Sequence, residues 1–102
     1  LGPEGLREVA LKSVEMAHKL HALLLEVPGV RPFTPKPFFN EFALALPKDP
    51  EAVRRALAER GFHGATPAPR EYGENRALFA ATELHEEEDL LALREALKEV
   101  LA

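Results

Sequence analysis

The chain has 102 residues, of which 46% are hydrophobic and 29% charged. This allows one globular domain and excludes both a disordered segment and a two-domain architecture. It has no cysteine, which rules out a disulfide scaffold, a cysteine nucleophile and a zinc–thiolate site. The formal net charge of −4 argues against nucleic-acid binding, and no run approaches the ~20 apolar residues of a membrane-spanning helix.

The opening Leu1-Gly2-Pro3-Glu4 has neither a basic start nor an apolar run, so it does not read as a secretory leader. It is expected to be a cut within a longer chain. A long helix is predicted over about residues 3–27. Leu6, Val9, Ala10, Ser13, Ala17, Leu20 and Leu24 recur at three- and four-residue steps and form one stripe. Pro28-Gly29 stops it, because the residue before a proline avoids helical dihedrals. At ~1.5 Å per residue such a helix runs about 37 Å, whereas a domain of this size has a radius of gyration of ~13 Å. The helix is therefore expected to lead from one body into another, with a large domain upstream.

Pro28 to Pro37 reads as a stiff connector. A strand is predicted over 38–46, with Phe38, Asn40, Phe42, Leu44 and Leu46 on one face and Phe39, Glu41, Ala43 and Ala45 on the other. Asp49-Pro50-Glu51 starts a second helix with an acidic cap, a first-turn proline and a first-turn acid, and Gly61 ends it. Residues 62–66 read as a short strand, 67–76 as a polar loop and 77–82 as a further strand. A last helix is predicted over 86–101, with Glu86, Glu87, Glu88 and Asp89 at its N-terminus, where the helix dipole favours negative charge. The strand–helix–strand unit predicts a right-handed crossover. The result is an α+β two-layer domain, with a small sheet, helices on one face and a long N-terminal helix. Residues 1–102 form one domain, a linking helix at about 3–27 followed by an α+β sandwich over 38–101.

The candidate functional residues are few. His18 and His21 have a spacing that can hold a metal, yet they read as helix-surface histidines. Lys19 follows His18 in a dipeptide common at pyridoxal Schiff-base sites, but it falls in mid-helix. His63 and His85 stand apart in the sequence and read as structural or solvated. Asn40 and Glu41 interrupt an apolar strand, and a buried polar group without a partner costs ~1–3 kcal/mol. They are candidates for a site or subunit contact. The 67–76 loop gathers Arg70, Tyr72 and Arg76, and an arginine there suits a carboxylate. Thr82 and Glu83 follow the last strand. The sequence holds no Gly-rich phosphate cradle, and its one serine, Ser13, lies on the helix stripe, so a self-contained active site is not expected.

Pro37-Phe38-Phe39-Asn40-Glu41-Phe42, Leu46-Pro47, Gly61 and Gly64, Arg70 and Tyr72, and Thr82-Glu83 before an acidic helix start together resemble one family. It is subunit 1 (alpha) of the two-subunit glycine dehydrogenase (decarboxylating), the P-protein of the glycine cleavage system. The likeness runs over essentially the whole chain. It implies the C-terminal small domain of a fold-type-I, aspartate-aminotransferase-like enzyme. The whole enzyme would use pyridoxal 5'-phosphate to decarboxylate glycine and pass the aminomethyl group to the lipoyl arm of H-protein. The cofactor lysine would lie in the partner, subunit 2 (beta), of a cytoplasmic alpha2-beta2 heterotetramer, and this piece alone would bind no cofactor, carry no catalytic residue and be inactive. Asn40, Glu41, Arg70, Tyr72, Arg76, Thr82 and Glu83 are the substrate or interface candidates. Leu78 stands where many superfamily members carry a carboxylate-binding arginine, and Arg76 lies two residues earlier on the same face.

Two other readings are open to the residues. A free-standing ferredoxin-like module would bind a small ligand unaided. An RNA-binding sheet would need a basic surface and exposed stacking aromatics, which the acidic balance disfavours.

Overall fold

The computed structural model describes residues 3–33, 41–81 and 85–102, with side chains from residue 11 onward. Helix α1 runs Pro3–Leu24, β1 Arg31–Pro32, β2 Glu41–Ala45, α2 Pro50–Glu59, β3 Thr66–Pro67, β4 Arg76–Ala80 and α3 Glu87–Leu101, with a single 3-10 turn at Arg70–Tyr72. The four strands form one sheet in the order β1-β2-β4-β3, and every neighbouring pair is antiparallel. Strands β2 and β3 are both antiparallel to β4, so they run parallel to each other with β4 between them. Helix α2 is thus the crossover of a split strand–helix–strand unit.

Ala17, Leu20 and Leu24 are buried along one stripe of α1, as the spacing predicts, and Met16 joins them. The helix ends at Leu24, short of the expected residue 27. The amides of Glu26 and Val27 bond the carbonyls of Leu23 and Leu24, each at 3.1 Å, and this tightens the chain into turns before Pro28. Asp49 caps α2 through its carboxylate, which accepts from the Glu51 amide at 3.4 Å, and Pro50 fills the first turn. Gly61, at φ +84°, closes α2 with paired bonds from the Gly61 amide to Ala58 and from the Phe62 amide to Leu57, both 2.9 Å. This is a Schellman cap. The acidic run before α3 is built into a capping box, in which the Asp89 carboxylate accepts from the Glu86 amide at 2.8 Å.

Two expected strands move. The segment 62–66 yields only Thr66–Pro67, because Phe62 is held by the α2 cap and Ala65 takes φ +57°. The connector at 28–37 contains the edge strand β1, where Pro32 is tolerated because an edge strand need not donate on its outer side. The predicted strand at 38–46 is observed from Glu41 to Ala45, and that at 77–82 as Arg76–Ala80; residues 38–40 and 82 lie outside the described residues.

Phe42, Leu44 and Leu46 from β2 and its end meet Ala77 and Phe79 from β4 in one core, with Leu20 and Leu24 of α1, Val53 and Leu57 of α2, and Leu90 and Leu97 of α3. The Phe42 and Phe79 rings stack at 6.1 Å, and His21 meets Phe42 edge-on at 5.0 Å. Each such buried aromatic or leucine side chain contributes about 1.5–3 kcal/mol by removal from water. The three helices therefore share one side of the sheet. The residues that alternate to the other side, including Glu41, Ala45, Leu78 and Ala80, take no part in that core.

Candidate interaction face and cleft

The strand register orders the helix-free side of the sheet into rows, since residues directly opposite one another share a face. Arg31, Ala45 and Arg76 form one row, Ala43, Leu78 and Thr66 the next, and Glu41 with Ala80 the last. Basic side chains thus mark one end of this face and an acid the other. Arg76 and Leu78 share the face, as the alternation predicts.

The basic end is framed by aromatics. The Arg76 guanidinium lies 5.0 Å over the Phe33 ring, and Phe33 packs on Tyr72 at 5.4 Å between centroids. Nη1 of Arg76 donates to the Glu74 carbonyl at 2.7 Å, while its buried Nε has no hydrogen-bond partner. Asn75, at φ +55°, turns the chain into β4, and its carbonyl accepts from Leu46 at 2.8 Å. The 3-10 turn places Tyr72 half-buried against Phe33 and leaves Arg70 exposed.

Beside the acidic end lies a cleft of about 350 Å³ lined by Glu41, His63, Gly64, Thr66, Leu78 and His85, among others. The two histidines that stand apart in the sequence are brought to one cleft by the α2 cap and the entry to α3. Glu41 is exposed at its edge. Gly64 lets the loop lie against the core: a Cβ there would sit 3.1 Å from the Phe79 ring. A carboxylate and two imidazoles can exchange hydrogen bonds with a polar ligand. Among the described residues no group of three metal-capable side chains forms, and His18 and His21 make no such site.

Of the sequence candidates, Arg76 and Tyr72 come together at the basic end, Glu41 lies at the other, and Arg70 is on the 3-10 turn between β3 and β4. Asn40, Thr82 and Glu83 lie outside the described residues. Sequence reasoning missed Phe33, which sits in a proline-rich stretch with no strand alternation to mark its face. It also missed that His63 and His85 line one cleft, which depends on tertiary placement alone.

A pyridoxal cofactor held as a Schiff base needs a lysine that can lose its proton. Lys19 does not fit. Its ammonium is 2.6 Å from Glu87 and 3.5 Å from Glu15, and the hydrogen bond to Glu87 holds its pKa above the ordinary lysine value. Lys48 is bonded to the Val100 carbonyl at 3.2 Å. No described helix is long and apolar enough to cross a membrane.

These features define a small α+β domain with a helix-free sheet face. A solved structure titled glycine decarboxylase (P-protein) of the glycine cleavage system, in inhibitor-bound form, superposes with a TM-score of 0.96 at 98% identity, covering 99% of this chain and 23% of that one. Probable glycine dehydrogenase (decarboxylating) subunit 1 of Moorella thermoacetica is 40% identical over 104 residues, covering 100% of this chain and 23% of the relative. Its counterpart in Novosphingobium aromaticivorans is 42% identical over 107 residues, covering 100% and 24%. No family model matches the chain. The chain is thus related throughout its length to glycine dehydrogenase (decarboxylating) subunit 1, as its sequence motifs suggest, and it spans about a quarter of the length of these curated relatives. These likenesses do not favour the free-standing regulatory module.

Proposed function

We propose that this chain is the C-terminal small domain of subunit 1 of a glycine decarboxylase, a fold-type-I assembly in which the chemistry is housed largely elsewhere. The reading rests on one observation: full-length similarity of this chain to glycine dehydrogenase subunit 1 sequences about four times its length. A large domain upstream of Leu1 fits that difference. Helix α1, at 22 residues and about 33 Å, is long enough to lead into it.

In this reading the partner is subunit 2, in an alpha2-beta2 heterotetramer in the cytoplasm, and its lysine carries pyridoxal 5'-phosphate. The cofactor supplies an electron sink for decarboxylation of glycine, and lipoylated H-protein receives the aminomethyl group. The paired state of Lys19 supports a covalent site outside this domain. The role of these residues is then to orient and to seal. The helix-free sheet face, with Phe33, Tyr72 and Leu78 on or beside it, is the side turned toward the rest of the assembly. Glu41, Arg70, Tyr72 and Arg76, with Asn40, Thr82 and Glu83, are its contact candidates toward substrate or neighbouring subunit.

The test is made in the complete assembly. Asn40→Ala and Arg70→Ala are each expected to slow glycine decarboxylation or to weaken tetramer formation at least severalfold. Unchanged turnover in an intact tetramer for both variants would remove these residues from the contact set.

A further inference from the structure

We propose that the row Arg31–Ala45–Arg76, with its Phe33–Tyr72 frame, is the anchor for an aspartate or glutamate side chain carried by the same polypeptide outside these 102 residues. The inference rests on the longer-chain reading above.

On the helices, Arg54 and Arg55 both pair with Glu51, Arg60 reaches Glu99 at 3.6 Å, and Arg94 holds Glu26 at 3.0 Å, while Arg70, exposed on the 3-10 turn, meets no carboxylate among the described residues. On the helix-free sheet face, Arg31 and Arg76 meet no carboxylate among the described residues. Glu74 is close in sequence to Arg76, yet Arg76 bonds its backbone carbonyl and leaves its carboxylate aside. Arg76 is also the more desolvated of the two, half-buried, with its guanidinium over the Phe33 ring and its buried Nε unpartnered. A cation in that setting gains more from a partner than a solvated one does.

The geometry selects the partner. Arg31 and Arg76 flank Ala45 in register, so their backbones stand about 10 Å apart, two strand spacings. Between them in register stands Ala45, whose side chain is a single methyl. With Nε buried, the Nη1 and Nη2 end of the guanidinium is the part that suits bidentate contact with a carboxylate. Arginine and tyrosine with an aromatic neighbour are also the residues that dominate protein contact energies. The occupant is assigned to the same polypeptide because about three quarters of the relatives' length lies outside this chain.

The test uses the full-length subunit in its assembly. Arg76→Lys introduces an amine that a zero-length carbodiimide couples to a touching carboxylate, and peptide mapping then locates the bond. The expected result is a cross-link from position 76 to an aspartate or glutamate of the same polypeptide outside residues 1–102, absent from the unsubstituted protein. Arg94→Lys, which should couple to Glu26, verifies the chemistry. Coupling of position 76 only to Glu71 or Glu74, coupling to a different subunit, or no coupling while the Arg94→Lys control succeeds would each overturn the proposal. Intact mass of the natural polypeptide separates the two levels. A polypeptide no longer than these residues defeats the longer-chain reading itself, while a longer one that yields no such bond defeats only the anchor.

Discussion

Lys19 in the middle of α1 and Glu87 at the first residue of α3 meet at 2.6 Å, although 68 residues separate them in sequence. The contact ties the long helix to the last one over the core packing of Leu20 and Leu90. Its electrostatic effect is mutual: the hydrogen bond lowers the Glu87 pKa and raises that of Lys19. An amine so held stays protonated and is a poor nucleophile toward an aldehyde.

Borohydride reduction of the complete, cofactor-loaded assembly, followed by peptide mapping, is therefore expected to place the pyridoxyl group on a peptide outside residues 1–102. Stoichiometric labelling of Lys19 would contradict this.

Gly64 is expected to resist enlargement. Its Cβ position lies 3.1 Å from Phe79, a ring locked in the core against Phe42, so the neighbour cannot give way cheaply. Gly64→Ala should lower unfolding stability by about 1–3 kcal/mol in denaturant titration. Gly61→Ala meets no nearby atom, and its cost comes instead from the positive φ. A neutral Gly64→Ala would mean that the loop is free to shift.

His21 and Glu51 each leave a mark on the expected pH profile. Burial, and secondarily the charge of His18, pushes the His21 pKa below 6.5. The unfolded chain then takes up the proton first, so stability falls as pH drops through about 6.5 and levels off only once the folded form also titrates. His21→Leu should flatten the profile in that window and remove an unpartnered buried Nε2. Glu51 behaves as a depressed acid: hydrogen bonding from Arg54 lowers it from 4.5 to about 2. Its contribution is complete above about 4.5 and is lost as pH falls toward 2. Glu51→Gln should flatten part of the acid limb and leave the share that comes from Glu87, whose pKa is also lowered. Thermal unfolding across pH checks both, and a profile unchanged by His21→Leu would show that the ring is not a source of the dependence.

The helices were legible because their signals are local. Asp49-Pro50-Glu51, Gly61 and the Glu86–Asp89 run each act within one turn of the residues they cap. The faces of β2 were legible from alternation, which separates Phe42, Leu44 and Leu46 from Glu41, Ala43 and Ala45. The short edge strands were not. Two residues cannot show a period, and both Arg31–Pro32 and Thr66–Pro67 contain a proline that speaks against a strand. The candidate face was half legible. Arg76 and Tyr72 stand out as polar residues in a loop, but Phe33 becomes their neighbour only through β1, and His63 and His85 come to line one cleft only through the packing of α2 and α3.

On the proposed function, this domain belongs to a subunit that glycine decarboxylation requires. The direct measurement is release of carbon dioxide from glycine, with lipoylated H-protein, by subunit 2 reconstituted with and without the full polypeptide that contains these residues. Turnover is expected to rise by orders of magnitude when that polypeptide is added. Equal turnover in its absence would contradict the account.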